Sequence, residues 1–277
     1  MDDDLIRNLC ALVRKAGQRA VEMRTRDLLN PCRKQDGTPV TSADFEVQTI
    51  ILKGLETLTP SIPIVAEEQD NARDFCALHE TYWLVDPIDS TSAFLASRDD
   101  FSVNAGLIEN GQPVFGIIFA PARDDMVWGE VKAGAWRIKN GHPQKLARMN
   151  EDDSRTACAR PRLTVSLRDS RLYPIEEWVE KSIVAEVRIQ ASAYKLAMIA
   201  AREADFFLRT SPTYEWDTAA GDAIVRSLGG HLITPQGTPL AYRKDKLENG
   251  AFLAFCTNES AARHFLQTTN LNWPWTL

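Results

Sequence analysis

The stretch Trp83 to Phe94, WLVDPIDSTSAF, constrains the fold more than any other part of this chain. An apolar run (Trp83, Leu84, Val85) stops on Asp86, Pro87 forces an extended turn, and Asp89 follows. Ser90 and Thr91 then stand where a helix can start. A proline here argues against one helix carrying both aspartates, because it lacks an N–H and pushes the residue before it out of the helical region. The two carboxylates are therefore expected at the C-terminal tip of a buried strand, with the Ile88 carbonyl between them. Converging carboxylates and a carbonyl make a hard-oxygen site of the kind Mg²⁺ prefers. A helix N-terminus just beyond offers free N–H groups to an anion such as phosphate. The same residues admit a plainer reading, with Asp89 or Ser90 as an N-cap and Asp86 as a strand-end turn residue.

Three other segments bear on that choice. A β-rich run (Ile62, Ile64, Val65) ends on Glu67 and Glu68, a pair that solvent alone would satisfy. Farther on, Trp216 precedes Asp217, and the helical pattern Ala220, Ile224, Val225, Leu228 stops at Gly229-Gly230. Asp217 thus falls in or near a first helical turn, where a carboxylate suits the macrodipole and capping alone would account for it. Thr41-Ser42-Ala43-Asp44 reads as a capping box ahead of Phe45, Val47, Ile51 and Leu55.

The rest of the chain sets bounds. Its 277 residues, 44% hydrophobic and 25% charged, suit a soluble globular protein of one large domain or two packed halves. No apolar run approaches the roughly 20 residues that span a bilayer. The acidic start Met1-Asp2-Asp3-Asp4 lacks the basic region of a signal peptide, so the cytoplasm is the expected compartment. Five scattered cysteines without a CxxC pair predict neither a disulfide framework nor a zinc site. A net charge of −6 disfavours binding to a nucleic acid polymer. A small phosphorylated metabolite remains compatible, because bound Mg²⁺ reverses the local field.

Periodicity predicts a first helix from Leu5 to about Met23 with Leu5, Leu9, Leu12, Ala16 and Ala20 on one face. Strands Ser102 to Glu109 and Pro113 to Phe119 flank the hairpin signal Asn110-Gly111, and Met126 to Val131 and Ala135 to Ile138 extend the meander. From Met149 to Pro161 the pattern turns polar, which predicts a seam between an α+β half (1–150) and an α/β half (151–277). In the second half strands alternate with helices near Ile175 to Lys181 and Tyr194 to Arg202.

Taken together, Glu67-Glu68, Asp86-Pro87-Ile88-Asp89-Ser90-Thr91 and Trp216-Asp217-Thr218-Ala219-Ala220-Gly221 resemble the three ordered signatures (EE, DP(I/L)DGT, WD-x-AAG) of the Mg²⁺-dependent, lithium-sensitive inositol monophosphatase superfamily. Within it the chain is most similar to the CysQ branch, the 3'(2'),5'-bisphosphate nucleotidases. That similarity lies in Phe94, the segment FSVNAGLIENGQPVFGIIFAPA, the run Pro212 to Gly221 and the late LAYRKDKLENGAFLAF. The resemblance implies a layered αβαβα sandwich of the inositol monophosphatase and sugar phosphatase type. It implies two or three Mg²⁺ ions held by Glu67, Asp86, the Ile88 carbonyl, Asp89 and Asp217. Asp44 and Thr91, with Glu67, are implied as the catalytic group that prepares a water for attack. Asp89, Ser90, Thr91, Lys195 and Asp217 are implied to meet the substrate, and the assembly is implied to be a monomer or homodimer. The expected reaction is hydrolysis of 3'-phosphoadenosine 5'-phosphate to AMP. Inositol monophosphate or a sugar phosphate are alternative substrates, and a catalytically weakened phospho-metabolite-binding protein is an alternative of another class.

Two departures qualify the resemblance. Ser90 replaces the usual glycine of DGT, and Ser166-Leu167-Arg168-Asp169 stands where the branch tends to show Ser-Arg-Ser-His. Lys195 is kept in Ala191-Ser192-Ala193-Tyr194-Lys195, whose glycine is lost. Tyr194 reads either as a contact for a second phosphate or base, or as a packing residue.

Overall fold

The computed structural model of the chain describes residues 1–69, 79–149, 160–172 and 184–268. Most of the expected polar seam and the helix expected near Ile175 to Lys181 lie outside the described residues.

Helix α1 (Asp3–Thr25) is capped by Asp2, which accepts the Leu5 N–H at 2.7 Å. Its buried face is Ile6, Leu9, Val13, Ala16, Gly17, Ala20 and Met23. The expected stripe is thus rotated away from Leu5 and Leu12, which lie at its flanks. Gly17 explains the rotation: a Cβ there would stand 2.6 Å from Pro121 and 2.7 Å from Phe119, so the helix approaches the sheet along its glycine side. A small hairpin, β1 (Cys32–Arg33) and β2 (Pro39–Val40), leads to α2 (Ser42–Leu58).

Seven strands follow in the spatial order of the chain: β3 (Ile64–Ala66), β4 (Thr81–Asp89), β5 (Ser102–Glu109), β6 (Gln112–Ala120), β7 (Asp125–Glu130), β8 (Gly134–Lys139) and β9 (His142–Lys145). Only the β3–β4 pair is parallel. The β5–β6 turn places Asn110 (φ 51°) and Gly111 (φ 71°) in the left-handed region, as a two-residue hairpin of matching twist demands. The short helix α3 (Thr91–Leu95) leaves the tip of β4. Helices α1 and α2 pack on one face of this sheet around Leu9, Val47, Ile51, Trp83, Phe115 and Phe119.

A five-stranded sheet has the order β11-β10-β12-β16-β14, here β10 (Arg162–Ser166), β11 (Glu186–Gln190), β12 (Phe206–Arg209), β14 (His231–Ile233) and β16 (Phe252–Phe255). Helix α4 (Leu167–Leu172) follows β10 directly, and β13 (Thr213–Tyr214) pairs with β15 (Glu248–Asn249) beside the sheet. Between the two sheets lie α5 (Tyr194–Ala200) and α6 (Glu215–Ser227), each touching strands of both. Helix α7 (Glu259–Thr268) covers the far face through Ala262 and Phe265. The order of layers is helix, sheet, helix, sheet, helix, the expected αβαβα sandwich.

Small residues set the central spacing. A Cβ on Gly106 would fall 2.7 Å from the Ala220 nitrogen, and one on Gly116 2.1 Å from the Ala220 oxygen. Gly221 faces α5, with Leu196 2.1 Å from its missing Cβ. The Ala219-Ala220-Gly221 run is thus what lets α6, and Asp217 with it, lie directly on β5 and β6.

Candidate active site

Strand β4 carries both Asp86 and Asp89 at its C-terminal end, as the sequence predicts. Its pairing with β5 runs to Asp86↔Asn104, shifts, and resumes at Asp89↔Ser102. Pro87 sits in this irregularity, where a missing N–H is tolerated. The irregularity and the first turn of α6 bring carboxylate oxygens of Asp86, Asp89 and Asp217 within 4.8 Å of one another. Asp217 also accepts the Tyr214 N–H at 2.7 Å, so it caps its helix and joins the cluster at once. Glu67 is held beside the strand by its own N–H, which donates to the Val85 carbonyl at 3.1 Å.

The cluster is electrostatically unfavourable by itself. Burial, then Asp89 and Glu67, push the Asp217 carboxyl up to about 8. Burial followed by Glu67 and Asp89 raises Asp86 well above the carboxylate range, and burial also raises Asp89 and Glu67. Asp86 Oδ1 is buried and finds no hydrogen-bond donor among the described residues. Oxygen-only donors and an orphaned carboxylate oxygen fit a hard divalent cation. Lys34, from the loop after β1, reaches Glu67 at 2.7 Å and Glu68 at 2.6 Å. Burial works to lower its ammonium, but the two glutamates overcome this and hold it above its usual range.

Both readings of Asp44 hold together. Its Oδ2 accepts the Thr41 N–H (2.8 Å) and hydroxyl (2.7 Å), completing the capping box. Its Oδ1 accepts the Thr91 hydroxyl at 3.0 Å, and the same hydroxyl lies 3.3 Å from the Ile88 carbonyl. Burial raises the Asp44 carboxyl against the opposing pull of Thr41 and Thr91.

Ser90 occupies the left-handed region, φ 69° and ψ 58°, where glycine would sit without strain. Its hydroxyl recovers part of that cost by accepting the Ser192 N–H at 2.9 Å. Ser192 is itself at φ 54°. Two flanking N–H groups point the same way: Ala191 donates to Asp100 Oδ2 at 2.8 Å, and Ala193 donates to Asp89 Oδ2. Ser90→Gly is therefore expected to shift stability by no more than about 1 kcal/mol, relief of strain offsetting one lost hydrogen bond. Phosphate release should stay within about threefold of the parent. A rate gain of an order of magnitude would instead identify serine as a brake and favour the catalytically weakened reading.

Asp89, Ser90, Lys195 and Asp217 line one cavity of about 430 Å³, walled on its apolar side by Phe207 and Phe252. Lys195 is buried, with its ammonium donating to the Gln190 carbonyl (3.3 Å) and the Ser192 carbonyl and lying 4.9 Å over the Phe207 ring. Burial, then Arg209, pulls it down to about 8. Tyr194 is a packing residue: its hydroxyl donates to Asp125 at 2.7 Å beneath Arg123, and its side chain is absent from the cavity wall. The Ser166–Asp169 segment singled out in the sequence brings Arg168 to the cavity; sequence reasoning missed Arg171 and Arg209, which also line it, and Asn104, which donates to Asp89 at 3.2 Å. It also missed Glu215, whose carboxylate gathers the Arg243 N–H, the Lys244 N–H and the Lys244 ammonium at 3.0, 3.1 and 2.7 Å. The Glu-Trp-Asp order was the available signal, since Glu215 is fully buried two residues before Asp217.

The family model and the relatives make the chain a phosphomonoesterase, and its five layers are those of an α/β sandwich. It belongs to the inositol monophosphatase family, whose family model matches residues 1–269. The 3'(2'),5'-bisphosphate nucleotidase CysQ of Salmonella typhimurium is 35% identical over 241 residues, 86% of this chain and 94% of the relative. Its counterpart in Escherichia coli K12 is 31% identical over 242 residues, again 86% and 94%. Among solved structures, CysQ from Bacteroides thetaiotaomicron superposes with a TM-score of 0.72 at 23% identity, covering 91% of this chain and 96% of that one. The Thermotoga maritima IMPase does so at 0.74 and 24%, covering 96% and 98%. These two structures bear on the fold alone.

Proposed function

We propose that the chain is a Mg²⁺-dependent 3'(2'),5'-bisphosphate nucleotidase that hydrolyses 3'-phosphoadenosine 5'-phosphate to AMP and phosphate. The observation that carries this reading is the meeting of Asp86, Asp89 and Asp217 around an unpartnered buried oxygen, beside the Thr91–Asp44 pair. The similarity to CysQ nucleotidases supports the substrate class.

Glu67, Asp86, the Ile88 carbonyl, Asp89 and Asp217 would hold the metal, two or three ions, with lithium as a competitor. Mg²⁺ bound there supplies Lewis acidity toward phosphoryl oxygens and toward water. The chain's own groups do the rest. Thr91 already donates its proton to Asp44 Oδ1, so its oxygen lone pairs are free to accept a proton from an attacking water. A buried Asp44 with a raised carboxyl is a better final acceptor than a solvated aspartate. The N–H groups of Ser90 and Thr91, at the start of α3, have no acceptor within the helix and would hold phosphate oxygens. Lys195 stands on the same cavity wall to meet substrate charge. No helix among the described residues is long and apolar enough to cross a membrane; a cytoplasmic setting belongs to this reading.

The test is phosphate release in Mg²⁺ from 3'-phosphoadenosine 5'-phosphate, inositol 1-phosphate and fructose 1,6-bisphosphate. Fast release from the nucleotide, inhibited by lithium and abolished in Asp89→Asn, is the expected result. Preference for the inositol or sugar phosphate would keep the chemistry and replace the substrate. No turnover on any of the three would leave a binding protein.

A further inference from the structure

We propose that Glu215, Lys244 and Asn249 are positioning residues for Asp217: they clamp the first turn of α6, so that affinity for Mg²⁺ depends on three side chains that do not line the cavity. This rests on the metal-dependent phosphomonoesterase reading above and deepens it.

The clamp comes from the segment between β14 and β16, which crosses the start of α6. Within it β15 pairs with β13, Thr213 opposite Asn249 and Tyr214 opposite Glu248, and the Glu215 N–H donates to the Leu247 carbonyl at 2.8 Å. Side chains complete the attachment. The Lys244 ammonium donates to Glu215 Oε1 (2.7 Å), Asn249 Oδ1 (2.9 Å) and the Ala241 carbonyl (2.7 Å), which uses all of its protons. Glu215 also accepts the N–H groups of Arg243 (3.0 Å) and Lys244 (3.1 Å). Arg243 stands in the left-handed region at φ 67°, a conformation that persists only where its surroundings fix it. The Asn249 amide donates to the Tyr214 carbonyl (3.0 Å) and the Thr218 hydroxyl (2.9 Å). Thr218 accepts a second bond from the Tyr242 hydroxyl at 3.2 Å and gives its own proton to the Glu215 carbonyl at 3.3 Å. Glu215, Thr218, Tyr242 and Asn249 are all buried, and a buried network so fully matched holds one geometry.

Tyr214 links this network to the acidic cluster. Asn249 holds its carbonyl, while its N–H donates to Asp217 Oδ2 at 2.7 Å. Asp217 shares its corner with Asp86 and Asp89, oxygens within 4.8 Å of one another, and like charges at that range push the turn outward. The clamp resists that push and removes an ordering cost from cation binding. Thr213, Asp217 and Thr218 line the cavity, whereas Glu215, Lys244 and Asn249 do not, so the three act through the turn they hold. Groups that orient a metal ligand in this way commonly change metal affinity by about 10–100-fold.

Calorimetric titration with Mg²⁺ tests this, at a temperature where every variant is folded. Lys244→Met keeps the stem of a partly exposed side chain and removes its charge, so the fold should be retained. Glu215→Gln removes the charge at the other end. Each should bind Mg²⁺ at least about tenfold more weakly than the parent. Phe265→Leu, on α7 in the far layer, is the control for lost stability alone and should melt lower with unchanged Mg²⁺ affinity. Parent affinity in either clamp variant, or an equal loss in Phe265→Leu, overturns the clamp and leaves the phosphomonoesterase reading standing. A parent that binds no Mg²⁺ overturns the metal-dependent reading and the clamp with it.

Discussion

Asp217→Asn is expected to slow phosphate release by at least about 10³-fold, a loss of about 4 kcal/mol of transition-state stabilisation, while raising the melting temperature of the metal-free protein. The substitution keeps shape and cap, since an asparagine oxygen can still accept the Tyr214 N–H. Only the charge is removed. In the metal-free protein that charge is a burden: burial, Asp89 and Glu67 push the carboxyl from 3.8 up to about 8. A folded state that holds its proton more tightly than the unfolded chain loses stability as pH rises between those two values. Metal-free parent protein should therefore melt at lower temperature at pH 8 than at pH 5, and Asp217→Asn should lose less over that interval. Mg²⁺ should raise the parent's melting temperature more at pH 8 than at pH 5. Thermal melts in chelator and in Mg²⁺ read both effects. A variant that melts lower than the parent in chelator at pH 8 would show that the cluster is not under repulsive stress.

Gly116→Val is expected to produce the largest loss of stability, about 3 kcal/mol or more, and a fall in melting temperature of at least about 6 °C. The first atom added would stand 2.1 Å from the Ala220 oxygen and 2.6 Å from its Cα. Those are backbone atoms in a helix packed between two sheets, so no rotamer change relieves the clash and α6 must lift. Because α6 carries Asp217, activity should fall with stability. Gly250→Ala is the matched control, with nothing within 4 Å of its added Cβ; it should change stability by less than about 0.5 kcal/mol. Equal melting temperatures for the two variants would contradict the close approach of α6 to β6.

What sequence made legible was local. Pro87 between Asp86 and Asp89 excludes a helix, Thr41 to Asp44 spells a capping box, and Asn110-Gly111 requires two left-handed residues; each statement concerns neighbours within a few positions. Family resemblance then added the order of layers. Contacts between distant segments stayed hidden. Periodicity places Leu5 on a helix face but cannot see that Pro121 will sit against Gly17 and turn that face. A strand pattern shows an apolar run reaching Asp86 without showing that β5 continues to pair past Pro87. Tyr194 lies one residue from Lys195, yet Asp125 claims its hydroxyl from a separate strand. The same limit hid Arg209 and α4, which line one cavity while Asp169 bonds Ser166 at the end of β10 to Thr210 and Ser211 after β12.

Ala191, Ser192 and Ala193 donate three successive N–H groups to Asp100, Ser90 and Asp89. They stitch residues lining the cavity to Asp89 at the tip of β4 and to the segment that follows it. Parting this seam would leave three donors and two carboxylates unmatched together, so the cavity wall resists opening along it.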